Sequence, residues 1–259
     1  MLSVELTFPI LPGEAPSTED ACEDVIACWY KNGQVETHRW HTIRDADRVR
    51  FVVWIPDEAA LEEPHHNIHA RRALAALTKA GYGQPVARVL GIDRGFKKPC
   101  DCRARTSLVL FTNYCSIATP LRCGDCFHPV PVYRLPHIRD EEHLDLLQWA
   151  NDYRACDTLQ MHCTTGEEFG EAELFRHDSS LSRTGRALAA DLTAKVGVPV
   201  YYFLFASRGT GEEAERARVC PSCGGNWLVE PPWHRIFDFR CDRCLLLSNI
   251  ASDLAEAAV

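Results

Sequence analysis

Four cysteines near the end of the chain form two Cys-x-x-Cys pairs with the spacing of a zinc ribbon. The pairs are Cys220/Cys223 and Cys241/Cys244, and a short aromatic-rich segment separates them. Two thiolates three residues apart can bind one ion from a single tight turn, and Gly224 can adopt the left-handed conformation that often closes such a turn. Four sulfur ligands complete a tetrahedron and leave no position for water. The sequence therefore predicts a structural zinc site, with iron as the alternative metal because Cys-Pro-x-Cys-Gly turns also hold single iron ions.

Four further cysteines form a second, less regular set. Cys100-x-Cys102 and Cys123/Cys126 flank the apolar run 108–111. A strand between the two pairs could bring them together as in a ribbon. Cys-x-Cys is a less common metal hook, and a basic loop with small buried thiols is the alternative interpretation. With both sets in view, we expect two structural zinc ions as cofactors.

Two other groups of residues have the types that catalysis uses, but their spacing fits no catalytic motif. His65 and His69 are four residues apart on a predicted helix with His66 beside them, so they could share a metal ion in a metal-dependent enzyme. The glutamate of a His-Glu-x-x-His protease is absent. Cys163 begins a loop similar to that of Cys-based phosphatases, but Phe169 stands where an arginine would bind the phosphate. The sequence therefore predicts no catalytic residue.

Length, composition and charge are those of a globular protein. The chain has 259 residues, of which 46% are hydrophobic, enough for one large domain or two smaller ones. We expect a cytoplasmic protein, because neither a membrane-spanning apolar run nor a signal-peptide pattern occurs and because thirteen cysteines in a reducing compartment favour metal binding over disulfides. Four cysteines lack hook spacing and are expected in the core: Cys22, Cys28, Cys115 and Cys156. A net charge of -8 argues against binding nucleic acid with the whole surface.

The first 92 residues alternate strands and helices in the order of a ferredoxin-like unit. Residues 2–10 alternate apolar and polar side chains, as a half-buried strand does. The helix after it has apolar residues at helical spacing from Cys22 to Trp29, and a second helix should end at Gly81. The expected elements are strand 2–10, the helix before Asn32-Gly33, strands 35–42 and 49–55, helix 64–80 and strand 85–90. This order predicts a βαββαβ unit over residues 1–92.

The remaining residues divide into a cysteine-rich segment, a mixed segment and the last cysteine pairs. The expected elements are strand 108–111, an edge strand at 130–135, helices from 140 and over 179–196, and a strand at 198–205. The last of these is apolar almost throughout, which is typical of a central strand buried on both faces. The apolar residues after Cys244 should dock the C-terminal ribbon onto the body. We predict an α+β fold with a zinc-ribbon-like insert at 93–136, helices plus a buried strand at 137–210, and a C-terminal zinc ribbon at 211–259.

Several motifs spread over most of the chain occur together. They are His65-His66-Asn67, Cys100-x-Cys102, Cys123-Gly-Asp-Cys126 with Val-Pro-Val-Tyr-Arg-Leu-Pro at 130–136, Cys220-Pro-x-Cys223-Gly-Gly-x-Trp227, and Phe237-Asp-Phe-Arg-Cys241-Asp-x-Cys244. In these motifs the sequence resembles a little-characterised bacterial family that is described as zinc-ribbon-containing, with nucleic acid as a suggested partner. The resemblance implies that the cysteines bind zinc, and it implies no particular activity.

A basic segment around the less regular cysteine set is the best candidate for contact with a macromolecule. Residues 93–136 contain seven basic and three acidic side chains, a formal charge of +4. Zinc held by four thiolates adds about -2 and leaves about +2. The same correction brings residues 216–250, with five arginines and three acids, close to zero. If nucleic acid binds, we therefore expect it to contact this segment rather than the C-terminal ribbon. The candidate residues are Lys97, Lys98, Arg103 and Arg105.

Two further groups of side chains bear on the partner. The aromatic residues of the last ribbon could stack on bases, but they are expected to cover its small core instead: Trp227, Trp233, His234, Phe237 and Phe239. Acidic residues favour a protein-binding module, such as an adaptor or an immunity protein that neutralises a basic toxin: Glu19, Asp20, Glu23, Asp24, Glu167, Glu168, Glu171 and Glu173. The sequence thus predicts a non-catalytic zinc-binding protein that recognises nucleic acid or a protein, with a metalloenzyme that uses His65 and His69 as the third alternative.

Overall fold

The protein is a mixed α+β molecule with two β-sheets in a computed structural model that describes residues 1–13, 16 and 18–256. The chain divides into two compact units. Unit 1 comprises Met1–Asp101, Ile117–Thr119 and His128–Leu147, and unit 2 comprises Cys102–Ser116, Pro120–Phe127 and the residues from Gln148 onward. Within the described ranges, no helix combines the length and the apolar character that crossing a membrane requires.

Unit 1 is built on a four-stranded antiparallel sheet and two helices. Its elements are β1 (Leu2–Pro9), α1 (Asp20–Lys31), β2 (His41–Arg44), β3 (Arg48–Ile55), α2 (Ile68–Ala76) and β4 (Val86–Ile92). The strand order is β2-β3-β1-β4, and each neighbouring pair runs antiparallel. β1 and β3 are therefore central, and β2 and β4 are the edges.

The core of unit 1 follows from the alternation of its strands. Every second residue of β1 and β3 is buried, and α1 adds the apolar face that its helical spacing predicts. The central members of this core are Val4, Leu6, Phe8, Ile26, Trp29, Phe51 and Val53. The helix ends at Lys31, and Gly33, two residues further on, has a φ of 73°, the left-handed conformation that glycine adopts most readily.

Two elements of unit 1 differ from their predicted bounds. The strand predicted at 35–42 is wrong for most of its length, since residues before His41 are irregular and the strand is His41–Arg44. The helix predicted at 64–80 is shorter at both ends, because Pro64 belongs to a separate 3-10 turn, Glu63–His65, and α2 ends at Ala76. Asn67 then caps α2 by accepting a hydrogen bond from the Ala70 backbone N–H at 2.9 Å.

The segment before α3 (Leu144–His162) also departs from expectation. The edge strand predicted at 130–135 is wrong, and a 3-10 turn occupies Val132–Arg134. The helix predicted from 140 begins at Leu144, because Asp140 and Glu141 have φ of 49° and 57°, which no right-handed helix contains.

Unit 2 contains a mixed six-stranded sheet. Its strands are β5 (Leu108–Leu110), β6 (Leu121–Cys123), β7 (Val200–Leu204), β8 (Leu228–Trp233), β9 (Phe237–Cys241) and β10 (Leu246–Ser248), in the order β6-β5-β7-β10-β9-β8. Its helices are α3 from Gln148 onward, α4 (Glu167–Phe175), α5 (Ser180–Val196), α6 (Glu212–Arg216) and α7 (Ser252–Glu256). The segments 93–136, 137–210 and 211–259 all contribute strands to this one sheet, and residues 257–259 lie outside the described residues.

β7 is the central strand that its apolar sequence predicts. All of its five residues are buried, and it pairs in parallel with β5 on one side and β10 on the other. The prediction that the apolar residues after Cys244 dock the C-terminal segment is confirmed, because Leu246 and Leu247 lie in β10 and are fully buried.

Helix α5 packs closely against β7. A Cβ added at Gly185 would lie 2.2 Å from Tyr202 Cε2 and 2.6 Å from Trp149 Nε1, so a larger side chain would not fit without movement. Ser179 caps the helix, and Gly197 ends it with a φ of 74°. The predicted helix at 179–196 is confirmed, whereas α4 was expected only as an acidic stretch.

Candidate metal centres

The four C-terminal cysteines form a compact group. It is called here the second cluster, because it follows the group that contains Cys100 along the chain. One sulfur from each of Cys220, Cys223, Cys241 and Cys244 lies within 4.8 Å of every other. The first pair sits in a tight turn, in which the Gly224 N–H donates to the Cys220 carbonyl at 2.8 Å and Gly224 has a φ of 69°. The second pair follows from β9, which ends at Cys241. Strand and turn geometry therefore bring together the four residues that the spacing predicts.

Local structure gives these thiols different proton affinities. Burial raises the pKa of Cys241 to about 12 and also raises the pKa of Cys220. The backbone N–H of Gly225 instead lowers the pKa of Cys223 to about 7. Metal binding requires all of these thiols as thiolates, so loading this cluster releases protons and weakens as the pH falls.

The other four hook cysteines form the first cluster. One sulfur from each of Cys100, Cys102, Cys123 and Cys126 again lies within 4.8 Å of every other. These are the four residues that sequence reasoning assigned to one site, despite the less regular Cys-x-Cys spacing. The clusters each have two buried and two half-buried cysteines.

The turn between Cys123 and Cys126 is held by hydrogen bonds to residues just before β5. The Gly124 N–H donates to the Ser107 carbonyl at 2.8 Å, and the Thr106 hydroxyl donates to Asp125 Oδ1 at 2.5 Å. A Cβ at Gly124 would lie 1.9 Å from Ser107 Oγ, so glycine is required here. The turn that carries Cys123 and Cys126 is thus held by hydrogen bonds to Thr106 and Ser107.

The donor sets of the two clusters fit a soft or borderline metal ion. Four thiolates in a closed group are the usual ligands of structural zinc, and they leave no position for a substrate. Among the described residues, no histidine, aspartate or glutamate is placed as a ligand in either cluster. Both clusters could hold metal ions, and zinc is consistent with the ligands.

A row of stacked side chains, called here the ring stack, connects the turns of the two clusters within unit 2. It consists of Phe127, His234, Trp233, Arg240 and Tyr201. Neighbouring ring centroids are 4.9 Å apart for Phe127 and His234 and 4.8 Å apart for His234 and Trp233. The Arg240 guanidinium lies 4.5 Å from the Trp233 ring centroid and 4.9 Å from that of Tyr201.

Two inner members of the ring stack, His234 and Arg240, are each hydrogen-bonded to a cluster turn. His234 Nε2 lies 2.7 Å from the Gly124 carbonyl, and since a carbonyl only accepts, this nitrogen carries the proton. Arg240 Nε donates to Oδ1 of Asp242, which lies between Cys241 and Cys244, at 2.6 Å. Sequence reasoning missed this arrangement, and the only available signal was that aromatic and charged residues directly adjoin the hooks.

The aromatic residues of the last ribbon mainly form core. Trp227, Phe237 and Phe239 are at most 3% exposed, and Trp233 packs partly buried against a cluster that contains Tyr201, Phe203 and Phe237. This agrees with the expectation that they cover the core.

The four basic residues proposed for partner contact have different surroundings. Lys97 and Arg103 are exposed, and Arg105 is half-buried. Lys98 is exposed but binds Asp101 at 2.9 Å, which also holds the pKa of that carboxyl below its usual range.

The three histidines proposed as an alternative metal site are not brought together. His65 lies in the 3-10 turn and packs edge-on against Tyr133, whereas His69 lies in α2. His66 Nε2 is 3.1 Å from the Leu61 carbonyl, and His69 Nε2 is 3.0 Å from the Asp140 carbonyl. Because α2 begins at Ile68 and does not include His65, the helical spacing that would place His65 and His69 on one face does not exist.

The cysteines outside the clusters fit the core prediction in part. Cys22 and Cys156 are buried and Cys28 is half-buried, but Cys115 is exposed, so its assignment to the core is wrong. Cys163 is also exposed, and its thiol lies 3.2 Å from the Gln160 carbonyl.

Three family profiles match consecutive parts of the chain. Residues 1–91, 102–205 and 209–254 each match a domain of unknown function (DUF8589, DUF2310 and DUF8594, respectively). No solved structure is significantly similar to the chain.

Two proteins of the bacterium Haemophilus influenzae, each named "Uncharacterized protein", are related to this chain. One is 32% identical over 233 residues, which cover 88% of this chain and 88% of the relative. The other is 38% identical over 145 residues, which cover 55% of this chain and 70% of the relative. The chain belongs to the family of the first of these proteins. This agrees with the resemblance to an uncharacterised bacterial family, and the relatives' names indicate no partner class.

Proposed function

We propose that this protein is a non-catalytic zinc protein that recognises a macromolecule in the cytoplasm. The observation that carries the proposal is that all eight hook cysteines fall into two groups of four, each compact enough to bind one ion. Zinc at these sites supplies cross-links that hold loops and strand ends in place. Neither group has an open ligand position, which argues against chemistry at the metal.

The finer architecture that we propose is a ferredoxin-like unit followed by zinc-ribbon-like segments. The antiparallel order β2-β3-β1-β4, with α1 and α2 in the two crossovers, supports the ferredoxin-like assignment. The pairing of β8 with β9, next to the turns that carry the second cluster, supports a ribbon.

Nucleic acid remains the first proposed partner, and the route we favour is electrostatic. Lys97 and Arg103 are exposed in a segment whose charge stays positive after the thiolates are counted. Base stacking on the last ribbon is less favourable, because in the ring stack one face of Trp233 meets Arg240 and the His234 ring lies between Phe127 and Trp233. Loss of the exposed cations should therefore weaken binding more than loss of ribbon aromatics.

A groove among the helices of unit 2 favours a protein partner as the second candidate. It has a volume of about 350 Å³ and is lined by residues that include Trp149, Leu159, Phe169 and Leu181. Phe169, one of the lining residues, is 59% exposed, as expected for a side chain that an amphipathic helix of the partner would cover.

The acidic residues give less support to a basic toxin as that partner. Glu167 and Glu171 both bind Arg208, and Glu173 accepts hydrogen bonds from the Leu181 N–H and the Ser180 hydroxyl. These carboxylates are already compensated within the protein, so an apolar contact is the stronger basis for a protein complex.

The metal content is the first test. The protein purified from its own host should contain two zinc ions per chain by native mass spectrometry and elemental analysis. A red protein with equimolar iron would overturn the zinc assignment, and a metal-free folded protein would overturn the structural role.

The partner class is tested with matched variants. In low-salt fluorescence anisotropy, the double variant Lys97→Ala/Arg103→Ala should weaken binding to a labelled single-stranded oligonucleotide, whereas Phe169→Ser should not. Absence of oligonucleotide binding by the wild type refutes the nucleic-acid proposal. A protein complex from the host that Phe169→Ser abolishes and that high salt leaves intact would identify the groove as the recognition site.

A further inference from the structure

The edge strand β4 exposes apolar side chains along its length. Val86 is 61% exposed, Val89 50%, Leu90 45% and Ile92 71%. In the part of the chain that the structure describes, β4 pairs only with β1, so its other side has no strand. Surface apolar residues are common singly, but four lie within this seven-residue edge strand, distributed over both faces of the sheet.

The opposite edge of the same sheet is different. β2 has four residues, of which His41, Thr42 and Arg44 are polar, and Arg44 binds Glu19. Short polar edges resist pairing with other chains, whereas long apolar edges promote it. β4 contains neither proline nor lysine, and its one charged residue, Arg88, is directed to a partner within the sheet.

The charges beside β4 are balanced within unit 1. Arg88 binds Glu5 at 3.0 Å, Arg50 binds the other oxygen of Glu5 at 3.2 Å, and Arg50 also binds Asp45 at 2.8 Å. Two carboxylates and two guanidinium groups therefore carry no net charge. A second, identical surface can approach without the like-charge repulsion that the chain's net charge of -8 would otherwise cause.

The sequence of β4 is also compatible with pairing to itself. In an antiparallel arrangement centred on Val89, Val86 lies opposite Ile92 of the second copy, Ala87 opposite Gly91 and Arg88 opposite Leu90. Apolar or small residues therefore meet in the first two of these pairs, and Arg88 is bound to Glu5 in its own sheet. A two-fold axis through the strand gives both copies the same contacts, which is the commonest symmetry of protein dimers.

We propose that β4 is a self-association surface, through which a second copy of this chain extends the four-stranded sheet into one of eight strands. The inference is independent of the metal sites and of the proposed macromolecular partner. The four exposed side chains offer roughly 400 Å² per copy, which is small compared with a permanent dimer interface. The dimer is accordingly weak, and it dissociates on dilution.

Light scattering and sedimentation equilibrium of the zinc-loaded full chain test this proposal between about 1 and about 200 µM, a range suited to a small interface. The wild type should shift from monomer to dimer as the concentration rises. Val86→Lys and Ile92→Lys should each raise the dissociation constant about tenfold or more, because a buried lysine at the interface has no partner. Ile43→Lys is the matched control, since it places the same charge on the β2 edge at a side chain that is 38% exposed.

Hydrogen exchange provides a second readout that needs no variant. Backbone amides of residues 86–92 should become more protected in the wild type as its concentration rises, while those of residues 41–44 should not. A wild type that stays monomeric throughout the range, a dimer that the β4 substitutions leave intact, or protection at β4 that does not depend on concentration would each overturn the proposal.

Discussion

Replacing His234 by asparagine removes the middle ring of the ring stack and tests whether this row stabilises unit 2. His234 has a φ of 54°, and asparagine tolerates this left-handed conformation, so the substitution introduces little backbone strain. The change removes two ring contacts, with Phe127 and Trp233, and the hydrogen bond to the Gly124 carbonyl. The variant therefore reports on the side chain itself.

The magnitude follows from these three interactions. Ring pairs at this separation contribute about 0.5–1.5 kcal/mol each, and a hydrogen bond of this kind contributes about 0.5–1.5 kcal/mol. We expect the free energy of unfolding to fall by about 2–4 kcal/mol, and the melting temperature to fall by about 4–16 °C for a protein of this size.

Urea denaturation and zinc release to a chromogenic chelator measure the effect. Zinc should leave the first cluster faster, because the lost hydrogen bond holds Gly124 between two of its cysteines, Cys123 and Cys126. Arg235→Asn is the matched control, since Arg235 is the next residue, is exposed and also has a positive φ, of 61°. If His234→Asn behaves like Arg235→Asn, or lies within about 0.5 kcal/mol of the wild type, the ring stack has no stabilising role.

Three further predictions concern acid sensitivity, close packing and metal content. Burial lowers the pKa of His143 to about 3 from 6.5, so the unfolded chain takes up the proton first. Stability should therefore fall as the pH drops from about 6.5 towards 3, by up to about 1.4 kcal/mol per pH unit, and His143→Phe should flatten this dependence in urea titrations. Gly185→Ala places a methyl group within 3 Å of Tyr202 and Trp149 and should cost about 1–3 kcal/mol of unfolding free energy, whereas an unchanged midpoint would refute the close contact. Cys241→Ser should reduce the zinc content from two ions to one by native mass spectrometry, and retention of both ions would remove Cys241 from the ligand set.

The spacing of apolar side chains along the sequence predicted the long helices and strands well. β1, α1, α5 and β7 have side-chain patterns that extend over several residues and end at glycine or polar turns, so their existence and type follow from the chain itself. The cysteine spacing likewise predicted both groups of four, because pairs of thiolates two or three residues apart have few other uses in a reduced protein.

The elements that sequence reasoning missed depend on distant partners. The residues before α3 are held by the His143 N–H, which donates to the Lys31 carbonyl, and by Asn67, which donates to the Glu141 carbonyl at 2.6 Å. β6 has only three residues, too few for an alternating pattern. The ring stack joins Phe127 to a histidine more than one hundred positions away. None of these contacts leaves a local pattern that could be recognised in the sequence.

The strand order of unit 2 has a consequence for folding during synthesis. β7 lies between β5, which is made early, and β10, which begins at Leu246. Until β10 has emerged from the ribosome, one edge of β7 stays unpaired although all its side chains are apolar or aromatic, and such an edge promotes association with other nascent chains. Parallel pairing across long loops is also slow to form, so this sheet is completed late. We therefore expect the nascent chain to depend on chaperones most strongly after β7 has emerged from the ribosome and before β10 is available to pair with it.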